Sequence, residues 1–336
     1  MTWLALDIGG ANIKLADGQG YAAAERFDLW KQPAALSARL AELIGRAPQA
    51  SRLAITMTGE LCDCYPTRTA GVIDILSAVR SAADGREVFV YLTDGRLAPL
   101  DEALQTPLLA AAGNWRALAQ FAARFAPEGA ALLIDVGSTT TDLVPIADGA
   151  LRHQGVDDAS RMMLGELVYT GVSRTPLCAV APAAIYRGRP CPLAAEWFAT
   201  THDVYLTLGS MPEEPQSHAT ANGRPATVEA ARDRLARQLC LDRDSFTADD
   251  ARHFAESMRK SQIAKIGAAG VGLVRQMGMP PQTLIISGQG EFLARLVALR
   301  LAPQASVVSL NERLGERQSV AAPAHALAVL AAESSP

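Results

Sequence analysis

One segment combines a carboxylate, a glycine and several hydroxyl groups in an order suited to holding phosphate. In Leu132–Asp142, the apolar residues from Leu132 to Val136 predict a buried strand that only Asp135 interrupts. A buried charge costs roughly several kcal/mol unless it is paired or bound to a metal, so packing does not explain Asp135. The residues that follow offer backbone N–H groups and hydroxyls to a phosphate: Gly137, Ser138, Thr139 and Thr140.

The same pattern occurs at the N-terminus and, more weakly, late in the chain. Trp3–Lys14 has an apolar run followed by Asp7, Gly9, Gly10, Asn12 and Lys14. Thr283–Glu291 has an apolar strand followed by Ser287, Gly288, Gln289 and Gly290. Ordinary glycine-containing turns would give each of these segments separately. One nucleotide or diphosphate held between two similar half-sites explains all of them together.

The elements that position these segments predict a mixed α/β chain that repeats itself. Strands and helices alternate up to a long helix over Thr106–Phe125, and the order restarts with a strand at Ala130. We therefore expect an N-terminal domain over 1–127 and a C-terminal domain over 128–336, closed by an apolar helix at Val320–Ala332. An irregular insertion rich in proline and glycine is expected at about 157–225.

Composition sets the broad class of the protein. The chain has 336 residues with 49% hydrophobic residues, enough for one large or two medium domains. A net charge of −4 gives no basic field for nucleic acid. The N-terminus lacks a signal-peptide pattern and the apolar runs are too short for a membrane span. Five cysteines, an odd number, favour a reduced cytoplasmic setting, and Cys62 and Cys64 lack the second pair that a zinc site needs.

The glycine-containing segments together resemble the actin and sugar-kinase superfamily. DIGGANIK (7–14) is similar to its first phosphate loop, DVGSTTTD (135–142) to its second, and SGQGE (287–291) to its late adenosine loop. The resemblance implies an α/β fold of the ribonuclease H-like type, with two domains, a duplicated mixed sheet and a central cleft. The sequence departs from sugar kinases at Ala11-Asn12, where many kinases carry threonine or serine, and it shows no isolated catalytic aspartate.

The intervening segments resemble a narrower family, the hydantoinase/oxoprolinase-like proteins of the tetrahydromethanopterin-linked one-carbon pathway. These segments are MTGELCDCYPTRTAGV (57–72), GELVYTGVSRTPL (165–177), ATTHDVYLTLG (199–209) and DRDSFTADDARHFA (242–255). The resemblance implies an aryl ether synthase, a transferase of methanofuran-type cofactor biosynthesis. Such an enzyme couples an aminomethyl-furanylmethyl diphosphate to the phenol of a γ-glutamyl-tyramine, or of a tyrosine-derived acceptor, and releases diphosphate.

This chemistry implies roles for the residues of the loops. Mg²⁺ is expected on Asp7 and Asp135, directly or through water, with Asp142 as a further carboxylate. Lys14 and Arg68 are expected to contact the diphosphate, and Arg68 alternatively a γ-glutamyl carboxylate. The superfamily fold allows ATP to bind, although the reaction does not require it.

The phenol must lose its proton as it attacks, so a base is needed within hydrogen-bond reach. The candidates follow glycines or lie in a polar run: Glu60, Glu166, His202 and Asp203. A structural or solvated role is open for each of them.

Three other functions share these features. They are an ATP-dependent small-molecule kinase, an ATP-driven ring-opening hydrolase of the hydantoinase type, and a nucleotide-binding regulator without catalysis. Nucleotide turnover would identify either of the first two, and the intact aspartates of both phosphate loops argue against the third. The expected partners are small molecules and neither nucleic acid nor membrane; the oligomeric state is open, with a homodimer among the options.

Overall fold

The computed structural model describes residues 2–334 and has an α/β fold. The chain divides into two compact units. Unit 1 comprises the described parts of Met1–Ala131, Ile146–Ser160 and Val308–Pro336, and unit 2 comprises Leu132–Pro145 and Arg161–Val307. The structure contains two 6-stranded sheets, so the predicted α/β class with a duplicated sheet is confirmed.

The sheet of unit 1 is mixed, in the order β3-β2-β1-β4-β5-β6. Its strands are β1 Trp3–Ile8, β2 Asn12–Ala16, β3 Ala22–Arg26, β4 Arg52–Met57, β5 Glu87–Tyr91 and β6 Leu97–Pro99. Strand β1 pairs antiparallel with β2 and parallel with β4, which places Asp7 opposite Lys14 on one side and Thr56 on the other. All six residues of β1 are buried, as expected for a central strand.

Helices cover this sheet and bury its apolar face. They are α1 Leu36–Arg46, α2 Arg68–Ala82, α3 Leu100–Gln105, α4 Pro107–Ala110 and α5 Asn114–Ala122, with short 3₁₀ turns at Leu29–Lys31, Pro33–Ala35, Gly59–Leu61 and Ala123–Phe125. The single long helix predicted over Thr106–Phe125 is wrong. The chain leaves α4 at Ala111, Ala112 takes a left-handed φ of 51°, and α5 starts anew after Gly113. The break places the first turn of α5 beside Thr56, as described below.

The second sheet has the order β10-β8-β7-β13-β14, with β9 also pairing with β8. Its strands are β7 Ala130–Val136, β8 Thr141–Ala147, β9 Ala150–Leu151, β10 Leu167–Val168, β13 Thr283–Ser287 and β14 Ser306–Ser309. A separate hairpin is formed by β11 Ala183–Tyr186 and β12 Arg189–Pro192. The turn between β7 and β8 is closed by a hydrogen bond from the N–H of Gly137 to the carbonyl of Thr140, 2.9 Å.

The helices of the second half differ strongly in length. They are α6 Asp158–Leu164, α7 Leu177–Val180, α8 Thr201–Thr207, α9 Val228–Gln238, α10 Ala248–Met277, α11 Glu291–Leu301, α12 Leu310–Leu314, α13 Glu316–Val320 and α14 Ala322–Glu333. Helix α10 begins with a capping box: Thr247 accepts from the N–H of Asp250, and Asp250 accepts from the N–H of Thr247. The region predicted as an irregular insertion contains only short elements, from α6 to α8.

The last helix packs in unit 1, which differs from the predicted boundary at 127/128. Helix α14 is buried on most of its faces and packs against α5 and β1. Leu327 and Ala328 share a core cluster with Trp3, Ala5 and Ala54. Burial of this apolar helix, rather than its position in the sequence, places it in unit 1.

Candidate active site

Asp7 lies in the middle of the unit 1 sheet with one carboxylate oxygen unsatisfied. Its side chain is buried, and Oδ2 lies 3.8 Å from Nζ of Lys14. Oδ1 of Asp7 and Oγ1 of the adjacent Thr56 have no hydrogen-bond partner. Burial raises the pKa of Asp7, while Lys14 and a hydrogen bond from Asn114 oppose this effect. The site therefore offers two buried oxygens to a cation or a hydrogen-bond donor.

The first glycine turn is built by the close approach of a second segment. The N–H of Gly9 donates to the carbonyl of Asn12, 2.9 Å, which closes the turn between β1 and β2. A side chain at Gly10 would begin 2.7 Å from Sγ of Cys62, and one at Gly59 would begin 3.2 Å from the carbonyl oxygen of Ile8. Glycine is therefore needed on both sides of this contact, which brings the Gly59–Leu61 turn against the first loop.

Glu60 lies in that turn and is 1% exposed. Nη2 of Arg68 lies 3.2 Å from its Oε1, while Oε2 of Glu60 and Nε of Arg68 have no partner. Burial raises the pKa of Glu60 to about 7, although Arg68 acts in the opposite direction. A carboxyl group with this pKa and a free oxygen is suited to accept a proton near neutral pH.

The second glycine turn lies under a segment that the sequence did not connect with it. The N–H groups of Val172 and Ser173 donate to the carbonyls of Gly137 and Ser138, both at 3.0 Å. A side chain at Gly171 would begin 2.5 Å from the carbonyl oxygen of Gly137 and from the nitrogen of Thr139. The second glycine turn is thus covered on one side by the segment around Gly171. In the turn, the hydroxyls of Ser138 and Thr139 lie 3.3 Å apart.

A buried polar network holds this covering segment in place. Nε2 of Gln262, from the middle of α10, donates to Oγ1 of Thr170 and to the carbonyl of Gly171, both at 2.9 Å. The carbonyl of Gly171 also accepts from Oγ1 of Thr201, 2.8 Å, and Oε1 of Gln262 accepts from the hydroxyl of Tyr205, 2.6 Å. Because every group in this network is paired, the network holds the Thr170–Gly171 segment in one position against the second glycine turn.

The late loop packs directly on Asp135. A side chain at Gly288, whose φ is 93°, would begin 2.7 Å from Oδ1 of Asp135 and 2.3 Å from the carbonyl of Val136. The N–H of Gly290 donates to that carbonyl, 2.8 Å. Ser287 is buried with an unpartnered hydroxyl, whereas Gln289 is exposed.

Asp142 and Glu166 lie together, around a buried arginine. Nη1 of Arg161 lies 2.8 Å from Oδ1 of Asp142, and Nε lies 3.9 Å from Oε2 of Glu166. Nη2 of Arg161 also donates to the carbonyl of Glu166, 3.1 Å. The guanidinium occupies the position next to Asp142 where a metal ion was expected, and it gives both carboxylates a structural partner.

Asp203 is engaged by a helix N-terminus and a buried arginine, while its charge also acts to raise the pKa of His202. Asp203 caps α8 by accepting from the N–H of Thr200, 2.9 Å, and it accepts from Nε of Arg234 at 2.7 Å. Both members of this ion pair are 1% exposed, so the carboxylate is used for structure. His202 is only partly buried, and burial lowers its pKa.

Within unit 1, the structure brings together Asp7, Lys14, the first glycine turn, Glu60 and Arg68. Sequence reasoning missed Thr56 and Asn114, which flank Asp7. A side chain at Gly113, just before Asn114, would begin 3.3 Å from Oγ1 of Thr56, so the start of α5 abuts the site. Register with β1 could have identified Thr56, but the helix break at Gly113 gives no clear signal in an alanine-rich run.

A divalent metal fits this site only with help from its substrate. Among residues 2–334, no three side chains of the His, Cys, Asp and Glu types are grouped closely enough to hold a metal ion. The unpartnered Oδ1 of Asp7 suits Mg²⁺, which usually keeps several waters and binds phosphate oxygens beside one or two carboxylates. Asp142, paired with Arg161, does not fit as well.

Comparison with known proteins places these features in a family. The family model for Hydantoinase/oxoprolinase matches residues 52–334. A protein of Methanocaldococcus jannaschii, (4-{4-[2-(gamma-L-glutamylamino)ethyl]phenoxymethyl}furan-2-yl)methanamine synthase, is 32% identical over 330 residues, covering 97% of this chain and 96% of that protein. The protein of the same name from Methanococcus vannielii is 30% identical over 201 residues, covering 59% of this chain and 89% of that protein.

Solved structures are more distant. An inorganic polyphosphate/ATP-glucomannokinase from Arthrobacter sp. strain KM is 14% identical and covers 99% of both chains with a TM-score of 0.43. In the part of the chain that the structure describes, no helix is both long and apolar enough to cross a membrane. Because the family model covers most of the sequence and the first relative is similar over nearly all of it, this chain belongs to the hydantoinase/oxoprolinase family.

Proposed function

We propose that the protein forms an aryl ether in the biosynthesis of a methanofuran-type cofactor. The observation that carries this proposal is the 32% identity over 97% of the chain to a synthase whose name contains a phenoxymethyl-furan product. The proposed donor is an aminomethyl-furanylmethyl diphosphate, and the proposed acceptor is the phenol of a γ-glutamyl-tyramine or of a tyrosine-derived compound. The enzyme is then a transferase with diphosphate as its leaving group.

The reaction forms one carbon–oxygen bond and breaks another. The phenol oxygen bonds to the furanylmethyl carbon, the bond from that carbon to the diphosphate oxygen breaks, and the bonding electrons leave with diphosphate. The phenol proton goes to the base, which we assign to Glu60. Its free Oε2, its burial and its pKa of about 7 support this role over those of Glu166 and Asp203, whose carboxylates face buried arginines.

Each glycine turn is proposed as a phosphate-binding element within its own unit. In unit 1, Gly9 and Gly10 offer a turn without side chains, and Lys14 offers a positive charge. Mg²⁺ on Asp7 would supply charge neutralisation for the leaving group. In unit 2, Asp135 and the hydroxyls of Ser138 and Thr139 are proposed for the same kind of contact, beside the late loop at Gly288. ATP is not required for this reaction.

A product assay tests the proposal. Purified protein is incubated with Mg²⁺, the furanylmethyl diphosphate and γ-glutamyl-tyramine or tyrosine, with and without ATP, and diphosphate and ether are measured. We expect the ether and an equal amount of diphosphate without ATP. Formation of ADP without ether would contradict the proposal and indicate a kinase or an ATP-driven hydrolase.

Substitution of Glu60 tests its role as base. In the wild type, kcat/KM should rise with pH through about 7, because Glu60 must be ionised to accept the proton. Glu60→Gln should lower kcat/KM by roughly 10²–10⁴-fold and remove that acid limb. Glu42→Gln, on the exposed face of α1, is the matched control. A Glu60→Gln variant with the wild-type pH profile would assign the base elsewhere.

A further inference from the structure

The guanidinium of Arg68 is shared between two carboxylates that come from distant parts of the chain. Arg68 is the first residue of α2, and its Nη2 lies 3.2 Å from Oε1 of Glu60 and 4.0 Å from Oδ2 of Asp158. Glu60 lies in the 3₁₀ turn after β4, and Asp158 is the first residue of α6. All three residues belong to unit 1.

The contact between Arg68 and Glu60 is made through one atom pair only. An arginine and a carboxylate commonly pair through two parallel hydrogen bonds, which is the stronger geometry. Here Oε2 of Glu60 and Nε of Arg68 are both buried without a partner. The Nη2 atom of Arg68 that contacts Glu60 is also the atom that lies 4.0 Å from Oδ2 of Asp158.

We propose that Asp158 is a positioning residue for Glu60: by sharing the Arg68 guanidinium, it holds Arg68 in a one-bond contact and keeps the second oxygen of Glu60 free. Asp158 does not itself meet the substrate. It acts through Arg68, whose attraction to Glu60 it divides. The proposal rests on the proposed function for its catalytic meaning, but the contact can be measured without any substrate.

The charges around Glu60 give the direction of the effect. The charged groups that act on it are Arg68 from α2, which lowers its pKa, and Asp158 from α6, which raises it, against a background of burial that also raises it. Removing the charge of Asp158 removes its repulsion of the Glu60 carboxylate. Arg68 can then interact with Glu60 without competition from Asp158. Both changes favour the ionised carboxylate, so both lower the pKa of Glu60.

The test is a titration of Glu60 by ¹³C NMR on the full chain labelled at the glutamate carboxyl carbons, without substrate. The Glu60→Gln variant identifies the signal. Asp158→Asn should lower the pKa of Glu60 by about half a unit or more. Asp157→Asn is the matched control: Asp157 hydrogen-bonds to Ser160 and acts on Arg68 only through its charge, whereas Asp158 lies within 4.0 Å of the guanidinium.

The outcomes separate this inference from the proposed function. A lower Glu60 pKa in Asp158→Asn, with a clearly smaller change in Asp157→Asn, supports the positioning role even if the protein makes no ether. An unchanged pKa in Asp158→Asn, or equal shifts in both variants, overturns it. If the ether is formed, the acid limb of kcat/KM should move to lower pH in Asp158→Asn by the same amount as the NMR titration.

Discussion

At the scale of single residues, burial of the Glu60 carboxyl group lowers the stability of the folded protein at neutral pH. Its carboxyl is 1% exposed, and burial raises its pKa from 4.5 to about 7. The folded protein therefore binds a proton more tightly than the unfolded chain, so stability is lost as pH rises from about 4.5 to about 7. The proposed role as base would explain why such a group is kept at this buried position.

Glu60→Gln should accordingly stabilise the protein at neutral and higher pH. The expected gain in free energy of unfolding at pH 8 is at most about 3 kcal/mol, the full value of the pKa shift. The gain should become small near pH 4, where most Glu60 side chains are protonated in both states. Urea denaturation of both proteins at the two pH values measures it. A variant that is less stable than the wild type at pH 8 would contradict the raised pKa.

Gln262 is the residue on which the covering segment of the second glycine turn depends. It makes three buried hydrogen bonds, with Thr170, Gly171 and Tyr205. Gln262→Leu should leave buried polar groups unpaired and cost about 2–4 kcal/mol. The exposed Gln276 on the same helix is the control, and Gln276→Leu should change stability by less than about 0.5 kcal/mol. Equal denaturation midpoints for the two variants would contradict the importance of the network.

Residue chemistry in the sequence predicted part of the site. Glu60 and Arg68 stand out because each lies beside a turn signal and carries a charge, and the structure pairs them. The partner of Asp142 could not be predicted, because Arg161 is 19 residues away and nothing local marks it as buried. The contribution of Asn114 to the site was not predicted. Its position depends on a helix break that has no clear signal in an alanine-rich sequence.

At the scale of elements, glycines set how closely the loops approach the strands. Gly288 combines a φ of 93° with contacts at which a side chain would begin 2.3 Å from backbone. The late loop can therefore rest on Asp135 only because residue 288 lacks a side chain.

Gly288→Ala should push the late loop away from the end of β7. The expected cost is about 2–4 kcal/mol, from both the left-handed backbone and the backbone clash. Gly272→Ala is the control: it lies within α10 with no atom near the added carbon, and it should stabilise by about 0.5–1 kcal/mol. Thermal unfolding of the two variants should shift in opposite directions, and a neutral Gly288→Ala would contradict the close packing.

Apolar runs predicted the central strands, because burial on both faces leaves a clear signal. Strand β4, Arg52–Met57, shows this signal, because all its residues after Arg52 are buried. Strand Leu97–Pro99 was missed, since three residues at a sheet edge carry too little pattern.

At the scale of the whole molecule, unit 1 is assembled from both ends of the chain. Strand β1 and helix α14 share one core cluster although they lie at opposite ends of the sequence. The predicted division at 127/128 followed sequence order, whereas burial of α14 decided the observed one. Contacts between remote segments of this kind leave no local trace in a single sequence.

Ending the chain at Ala321, just before α14, should therefore unfold unit 1. The truncation removes α14, which uncovers apolar side chains of β1 and α5, and each large one exposed costs about 1.5–3 kcal/mol. Calorimetry should show the loss of a cooperative transition. A chain that ends after Ser334 is the control and should melt like the full protein. Unchanged melting of the shorter chain would contradict the assignment of α14 to the core of unit 1.

The division of unit 1 between the two ends of the chain also governs how the protein emerges from the ribosome. The first strands are made early, but the segment that completes their core begins at Val308, more than 170 residues after Ala131. At a synthesis rate of about 5–20 residues per second, this interval lasts about 10–35 seconds. During that time the part of the unit 1 sheet that α14 covers stays exposed, whereas unit 2, which ends at Val307, is made in full before α14. We therefore expect translation speed over the second half of the chain to affect the yield of folded protein.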